Sequence, residues 1–176
     1  MKFIKTLLAS VAFMVAASSA NAAPVVKQDL GPISSLTWID PVTVTGAIDD
    51  IFTFSLNVPA ADFSANKLVL TLGQATIWDF SNLTFSVYQG TFGSNVVAGD
   101  LLNSVNITSP ASSVEFSLNG LTAGDFYIQV AGTTSGLGGG TYTFAIAPVP
   151  EPSSVAMLLV GFAALGAVAR RRSKSL

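Results

Sequence analysis

Apolar and polar positions alternate with a period of two through the middle of the chain. Phe52, Phe54, Leu56 and Val58 are separated by Thr53, Ser55 and Asn57, and Leu83, Phe85 and Val87 are interleaved with Thr84, Ser86 and Tyr88. Successive side chains of an extended strand point to opposite faces, so this pattern predicts strands with one buried and one wetted face. Runs rich in β-branched and aromatic residues predict further strands at 37–44, 67–72, 76–80, 114–118, 126–130 and 141–147. The Gly, Asn, Asp, Ser and Pro clusters between them supply turn geometry. Eight short strands without a helical stripe predict an all-β domain, an antiparallel β-sandwich or jelly roll. Burying one face of each strand, at about 25 cal/mol/Å², is its main stabilising contribution.

Both ends of the chain break the pattern. Lys2 and Lys5 precede a mostly apolar stretch over 6–19, and Ala20-Asn21-Ala22 is the small-x-small sequence that a signal peptidase cuts, here before Ala23. At the other end Val149-Pro150-Glu151-Pro152 leads into an uncharged run from Ser153 to Ala169, followed by Arg170-Arg171-Arg172. Pro150 and Pro152 fix two φ angles and remove two N–H donors, which keeps this stretch extended and stops any helix entering from the domain before it. As a helix the uncharged run spans roughly 25 Å, a minimal transmembrane length. Lys2 and Lys5 flank the first apolar segment, and the three arginines and Lys174 flank the last, so the positive-inside rule puts both ends on the cytoplasmic side and the middle outside. The organisation expected is therefore a signal peptide over 1–22, an extracytoplasmic sandwich over 23–148 and a sorting tail with a transmembrane helix and basic end over 149–176.

Charge sharpens this division. The whole chain carries −2, but between Ala23 and Val149 nine carboxylates face only Lys27 and Lys67, a net −7. Phosphate binding needs clustered Lys or Arg, so nucleic acid and an anionic bilayer surface are excluded as partners of the middle region. The chain has neither cysteine nor histidine. That removes disulfides, a Ser-His-Asp triad, a thiolate nucleophile, N/S zinc sites and haem attachment, and no cofactor is expected.

The ordered succession of Pro150-Glu151-Pro152, apolar helix and Arg170-Arg171-Arg172 at the C-terminus resembles the PEP-CTERM protein-sorting tail. The resemblance implies processing near Pro150-Glu151-Pro152 by an exosortase, a membrane-embedded cysteine protease of the transpeptidase type found in bacteria that make exopolysaccharide. The catalytic groups would belong to that enzyme, and the inner membrane would be a transient partner. A second resemblance lies at 46–54, which is similar to the entry of the FxDxF family of PEP-CTERM proteins, with Ile48 in place of the first Phe, Asp50 at the aspartate and Phe52 at the last Phe. The segments Leu83-Thr84-Phe85-Ser86-Val87-Tyr88, 121–130 and 140–144 are similar to bacterial pre-peptidase C-terminal sandwich domains, which implies an accessory β-sandwich to which no catalytic residue carries over.

Several residues invite sharper chemistry. Asp49 and Asp50, with Asp62, Asp79, Asp100 and Asp125 near turns, offer oxygen ligands to Ca²⁺, although the spacing matches no EF-hand and turn chemistry accounts for the same aspartates. A carboxylate-only hydrolase would need two such groups across a cleft, and Asp49 with Asp50 is its best-motivated pair. Trp38, Tyr88 and Tyr127 could stack on sugar rings in a carbohydrate-binding module or adhesin, or fill the core, as could Trp78. Asn82-Leu83-Thr84 and Asn106-Ile107-Thr108 have sequon spacing, making Asn82 and Asn106 candidate glycosylation sites. The glycine run over 136–140 lacks the Lys-Ser or Lys-Thr of a phosphate cradle and reads as a flexible hairpin loop. The leading expectation is a non-catalytic protein of the cell surface or exopolysaccharide matrix, with exopolysaccharide as a candidate partner.

Overall fold

The computed structural model describes residues 22–93, 96–149 and 152–173. The signal sequence expected over 1–22, including Ala20, falls almost wholly outside these residues; Ala22 and Ala23 lie in irregular structure just before the first strand. The strands are β1 (Val25–Ile33), β2 (Thr37–Trp38), β3 (Val42–Val44), β4 (Ala47–Leu56), β5 (Ala60–Leu68), β6 (Leu70–Leu72), β7 (Ala75–Trp78), β8 (Phe80–Gly93), β9 (Val96–Ile107), β10 (Ser113–Asn119), β11 (Gly124–Thr134) and β12 (Gly140–Pro148). One helix, α1 (Pro152–Ser173), follows.

The first sheet has the order β1-β4-β11-β8-β9. The second runs β10-β5-β12-β2 with β3 also on β12, and β6 and β7 form a small ribbon. The alternation that predicted the strands sorts their side chains. Phe52, Phe54 and Leu56 of β4, Phe85 and Val87 of β8 and Phe126, Ile128 and Val130 of β11 are buried together with Phe63 of β5 and Phe144 and Ile146 of β12. Aromatic contacts join the two layers: Phe52 meets Phe144 edge-on at 5.0 Å, and Phe54 meets Phe63 at 6.3 Å. The result is a mostly β, sandwich-like arrangement.

Three expectations about the strands are corrected. The sheets are not wholly antiparallel, because β1 runs parallel to β4, with Val26 opposite Ile51 and Pro32 opposite Ser55. Between them the chain crosses to the other sheet as β2 and β3 and returns in the same direction, which supplies the crossover that parallel pairing needs. The run over 37–44 is two strands broken at Asp40-Pro41, and 67–72 is the end of β5 followed by β6. Finally β1, most of β5 and β9 were not signalled by alternation. The inward positions of β5 are Ala61, Phe63, Ala65 and Lys67, two small residues and a cation that hide a buried face.

The glycine run over 136–140 is also corrected: it is pinned rather than flexible. Leu137 N–H donates to Thr76 O at 3.1 Å, Gly138 N–H to Ile77 O at 2.7 Å, and Asp79 N–H to Gly139 O at 3.1 Å. At Gly139, φ is +104° and a Cβ would lie 2.1 Å from Val44 O, while at Gly140 it would strike the Phe80 ring at 2.4 Å. Glycine is needed here for close backbone approach.

Candidate functional site

The sheet ends one residue before the proline pair. Pro148 stands opposite Ala61, and Val149 N–H donates to Ala60 O at 2.9 Å. Pro150 has no N–H with which to extend the ladder, and α1 starts at Pro152, a position that suits proline because the first helical N–H has no intrahelical acceptor. Residues 150 and 151, which hold Pro150 and Glu151 of the expected sorting motif, lie outside the described residues. Arg170, Arg171 and Arg172 fall in the last turn of α1.

Met157, Leu158, Leu159, Val160, Phe162 and Leu165 of α1 are all exposed. Consecutive exposed apolar positions wrap the helix instead of forming one stripe, a pattern suited to apolar surroundings on all sides. Among the described residues, however, no helix is long and apolar enough to cross a membrane. The transmembrane helix expected at 153–169 is thus a helix whose crossing is not shown. Its uncharged run of 17 residues is shorter than the roughly 20 a bilayer core needs, and serines and glycines dilute it.

Alternation along β4 sends Asp49 and Asp50 to opposite faces of the first sheet. Asp50 points inward in line with Ile48 and Phe52, and all three are buried. Its Oδ2 accepts from the Tyr142 hydroxyl at 2.6 Å, and its Oδ1 lies 3.3 Å from Lys27 Nζ. Burial first, then the hydrogen bond to Asp50, pushes the Tyr142 phenol far above its ordinary range. Asp49 accepts from Gln129 Nε2 at 2.7 Å, and Gln129 Oε1 accepts from the Tyr88 hydroxyl at 3.3 Å. Among the described residues no group of three or more acidic side chains is placed to hold a metal ion.

Of the three candidate aromatics, Tyr88 and Tyr127 are brought together and Trp38 is not. Tyr88 and Tyr127 are register partners on the outer face of the first sheet, stacked at 4.7 Å, and Phe92 closes on Tyr127 at 5.6 Å. Tyr127 is fully buried, its hydroxyl has no hydrogen-bond partner among the described residues, and burial with Tyr88 nearby pushes its phenol up to about 12. Trp38 stands on β2 of the other sheet, 62 % exposed. The two sequons become neighbours, since Thr84 pairs with Asn106 and Leu83 with Ile107, and both Asn82 and Asn106 are exposed.

A buried ion pair was missed by sequence reasoning. Lys67 Nζ lies 2.8 Å from Asp79 Oδ1 and donates to Phe80 O at 3.2 Å, while Phe80 N–H donates to the same carboxylate at 2.7 Å. The available signal was Lys67 at the head of the run over 67–72, which carries no other charge. Both lysines of the middle region are therefore committed to aspartates.

Residues 148–173 match the PEP-CTERM protein-sorting motif. The motif implies an exported protein sorted towards the cell surface and processed by an exosortase, a membrane protein. No curated protein matches the chain. Among solved structures, the pre-peptidase C-terminal domain of collagenase from Bacillus anthracis is 18 % identical, with 72 % of this chain and 98 % of that one covered and a TM-score of 0.42. PliG of Aeromonas hydrophila, a periplasmic inhibitor of g-type lysozyme, is 12 % identical over 71 % of this chain and 98 % of its own, with a TM-score of 0.40. CorA, a surface-associated copper-binding protein of Methylomicrobium album BG8, is 6 % identical over 72 % and 100 %, with a TM-score of 0.47.

Proposed function

We propose that this chain is a non-catalytic protein of the cell surface or exopolysaccharide matrix, exported by a cleaved signal peptide and held briefly in the inner membrane by α1. An exosortase then cuts near Pro150-Glu151-Pro152 and frees the sandwich at 23–148. The motif match over 148–173 carries this reading. The exposed apolar girth of α1 supports a membrane tether, and its short span suits a temporary one. Absence of histidine and cysteine, with Asp49 and Asp50 turned to opposite faces, supports a role without catalysis. Membership of the FxDxF family belongs to the same reading, because Ile48, Asp50 and Phe52 share one buried face.

In this reading the tail works by position. That sheet hydrogen bonding reaches Val149 and the helix starts at Pro152 supports a motif read between the sandwich and its tether. Its depth is fixed by the helix and the arginine stop. Glu151→Ala, or four residues inserted after Pro152, should leave export intact while the uncut form accumulates on an immunoblot. Equal processing of all variants, or mature protein that retains Leu176 by mass spectrometry, would overturn the proposal.

A second reading, a carbohydrate-binding module or adhesin, is favoured by the exposed indole of Trp38 on a polar sheet face.

A further inference from the structure

The outer face of the second sheet carries a row of side chains in direct register across four strands. Glu115 of β10 stands opposite Ser64 of β5, Ser64 opposite Ala145 of β12, and Ala145 opposite Trp38 of β2. In the next row Ser117 faces Asp62, and Asp62 faces Ala147. With neighbouring strands about 4.8 Å apart, the first row extends roughly 14 Å from carboxylate to indole. The face forms an open groove of about 400 Å³ whose lining includes Leu36, Asp62, Ser64, Glu115, Ser117 and Ala145.

Each part of this groove selects for the same ligand chemistry. Ala145, Ala147 and Ser64 are small side chains in adjacent positions, and the half-exposed Ala147 and Ser64 leave a low floor on which a flat ring can lie. Beside the groove, in register with Ala145 on the same sheet face, Trp38 offers an exposed indole, and aromatic faces attract both apolar C–H surface and cations. Asp62 and Glu115 lie on diagonal positions of neighbouring strands, while both lysines of the sandwich are consumed elsewhere, Lys67 inside the core and Lys27 on Asp50. Negative charge without a local cation repels uronate or sulfated chains and draws ammonium groups into charge-assisted hydrogen bonds.

We propose that this face binds a polysaccharide whose sugars carry free amino groups, with a ring on Trp38 and ammonium groups on Asp62 and Glu115. The inference rests on the matrix-protein reading and deepens it: an extracellular amino-sugar polymer would retain the sandwich after the tail is removed.

The test titrates chitosan oligosaccharide into the full chain in a neutral detergent, following tryptophan fluorescence and calorimetry. Binding is expected, weakening with salt as exposed charge pairs do. Trp38→Ala should weaken it about tenfold, as loss of a cation–π and stacking partner predicts, and Asp62→Asn with Glu115→Gln should remove it. These positions are at the surface, and unchanged circular dichroism would confirm that the variants fold. Equal affinity for the fully N-acetylated oligosaccharide, tighter binding of alginate, or binding of poly-lysine in place of chitosan would overturn the proposal. So would no binding, or binding lost with Tyr88→Ala and kept with Trp38→Ala. Tail processing is read separately, so intact cleavage without chitosan binding removes this inference alone, and failed cleavage removes the reading beneath it.

Discussion

Lys67 and Asp79 show what a single buried charge does to this sandwich. The ammonium lies wholly inside, held by Asp79 and by Phe80 O, and the carboxylate also accepts the Phe80 N–H. Removing one partner strands the other, so Lys67→Ala is expected to cost about 3–5 kcal/mol in urea denaturation, more than a surface lysine could. The two perturbed phenols give an alkaline signature. Below about pH 10 folded and unfolded chains both keep the tyrosine proton, and stability is flat with respect to these groups. From there the unfolded chain releases it while Tyr127 holds it up to about 12 and Tyr142 higher still, so stability should fall as pH rises through that window. Urea midpoints at rising alkaline pH, compared with those of Tyr127→Phe, measure the slope, which should be shallower in the variant. None of these pairings was legible from the residues alone: Asp50 lies two positions before Phe52 in the sequence, but Lys27 and Tyr142 come to it from β1 and β12.

At the level of elements, alternation was readable where the buried face is made of large residues. In β4, β8, β11 and β12, aromatic and branched aliphatic residues mark most inward positions, and alternation reads those strands. In β5 the same periodicity holds, but two of its four inward positions are alanines and one is Lys67, and Ala65 sits directly beside the large Phe144 of β12. Such economy in side-chain volume is decided across the core. The glycine run over 136–140 makes the same point for a loop, since composition suggested freedom and neighbouring backbones impose closeness. Gly140→Ala should therefore destabilise by about 1–3 kcal/mol through its clash with the Phe80 ring, measured as a shift in denaturation midpoint at unchanged slope. An edge such as β1 is protected by Gly31, Pro32 and its register shifts, which discourage pairing with another chain.

For the whole molecule, the sheets are stitched from strands far apart in sequence. β11 pairs with β4, β12 with β5, and β2 is the last partner of β12. Closing such loops before any contact rewards them makes folding slow, and stopped-flow refolding is expected in the millisecond to second range typical of β-sandwiches. Surface charge belongs to this scale too: with both lysines bound to aspartates, the remaining seven carboxylates carry the whole −7 of the sandwich. By itself the sequence determined the all-β class, the sorting motif at the C-terminus and the exclusion of histidine- and cysteine-based chemistry. Those properties depend on residue type and on spacing within one segment, and they survive whatever the chain does elsewhere. Tertiary structure alone decided that β1 runs parallel to β4, that Asp49 and Asp50 look away from each other, and that Trp38 stands on the same sheet as Asp62 and Glu115 and not with Tyr88 or Tyr127. These are contacts between segments dozens of residues apart, and local periodicity says which face a side chain takes but not which strand lies beside it.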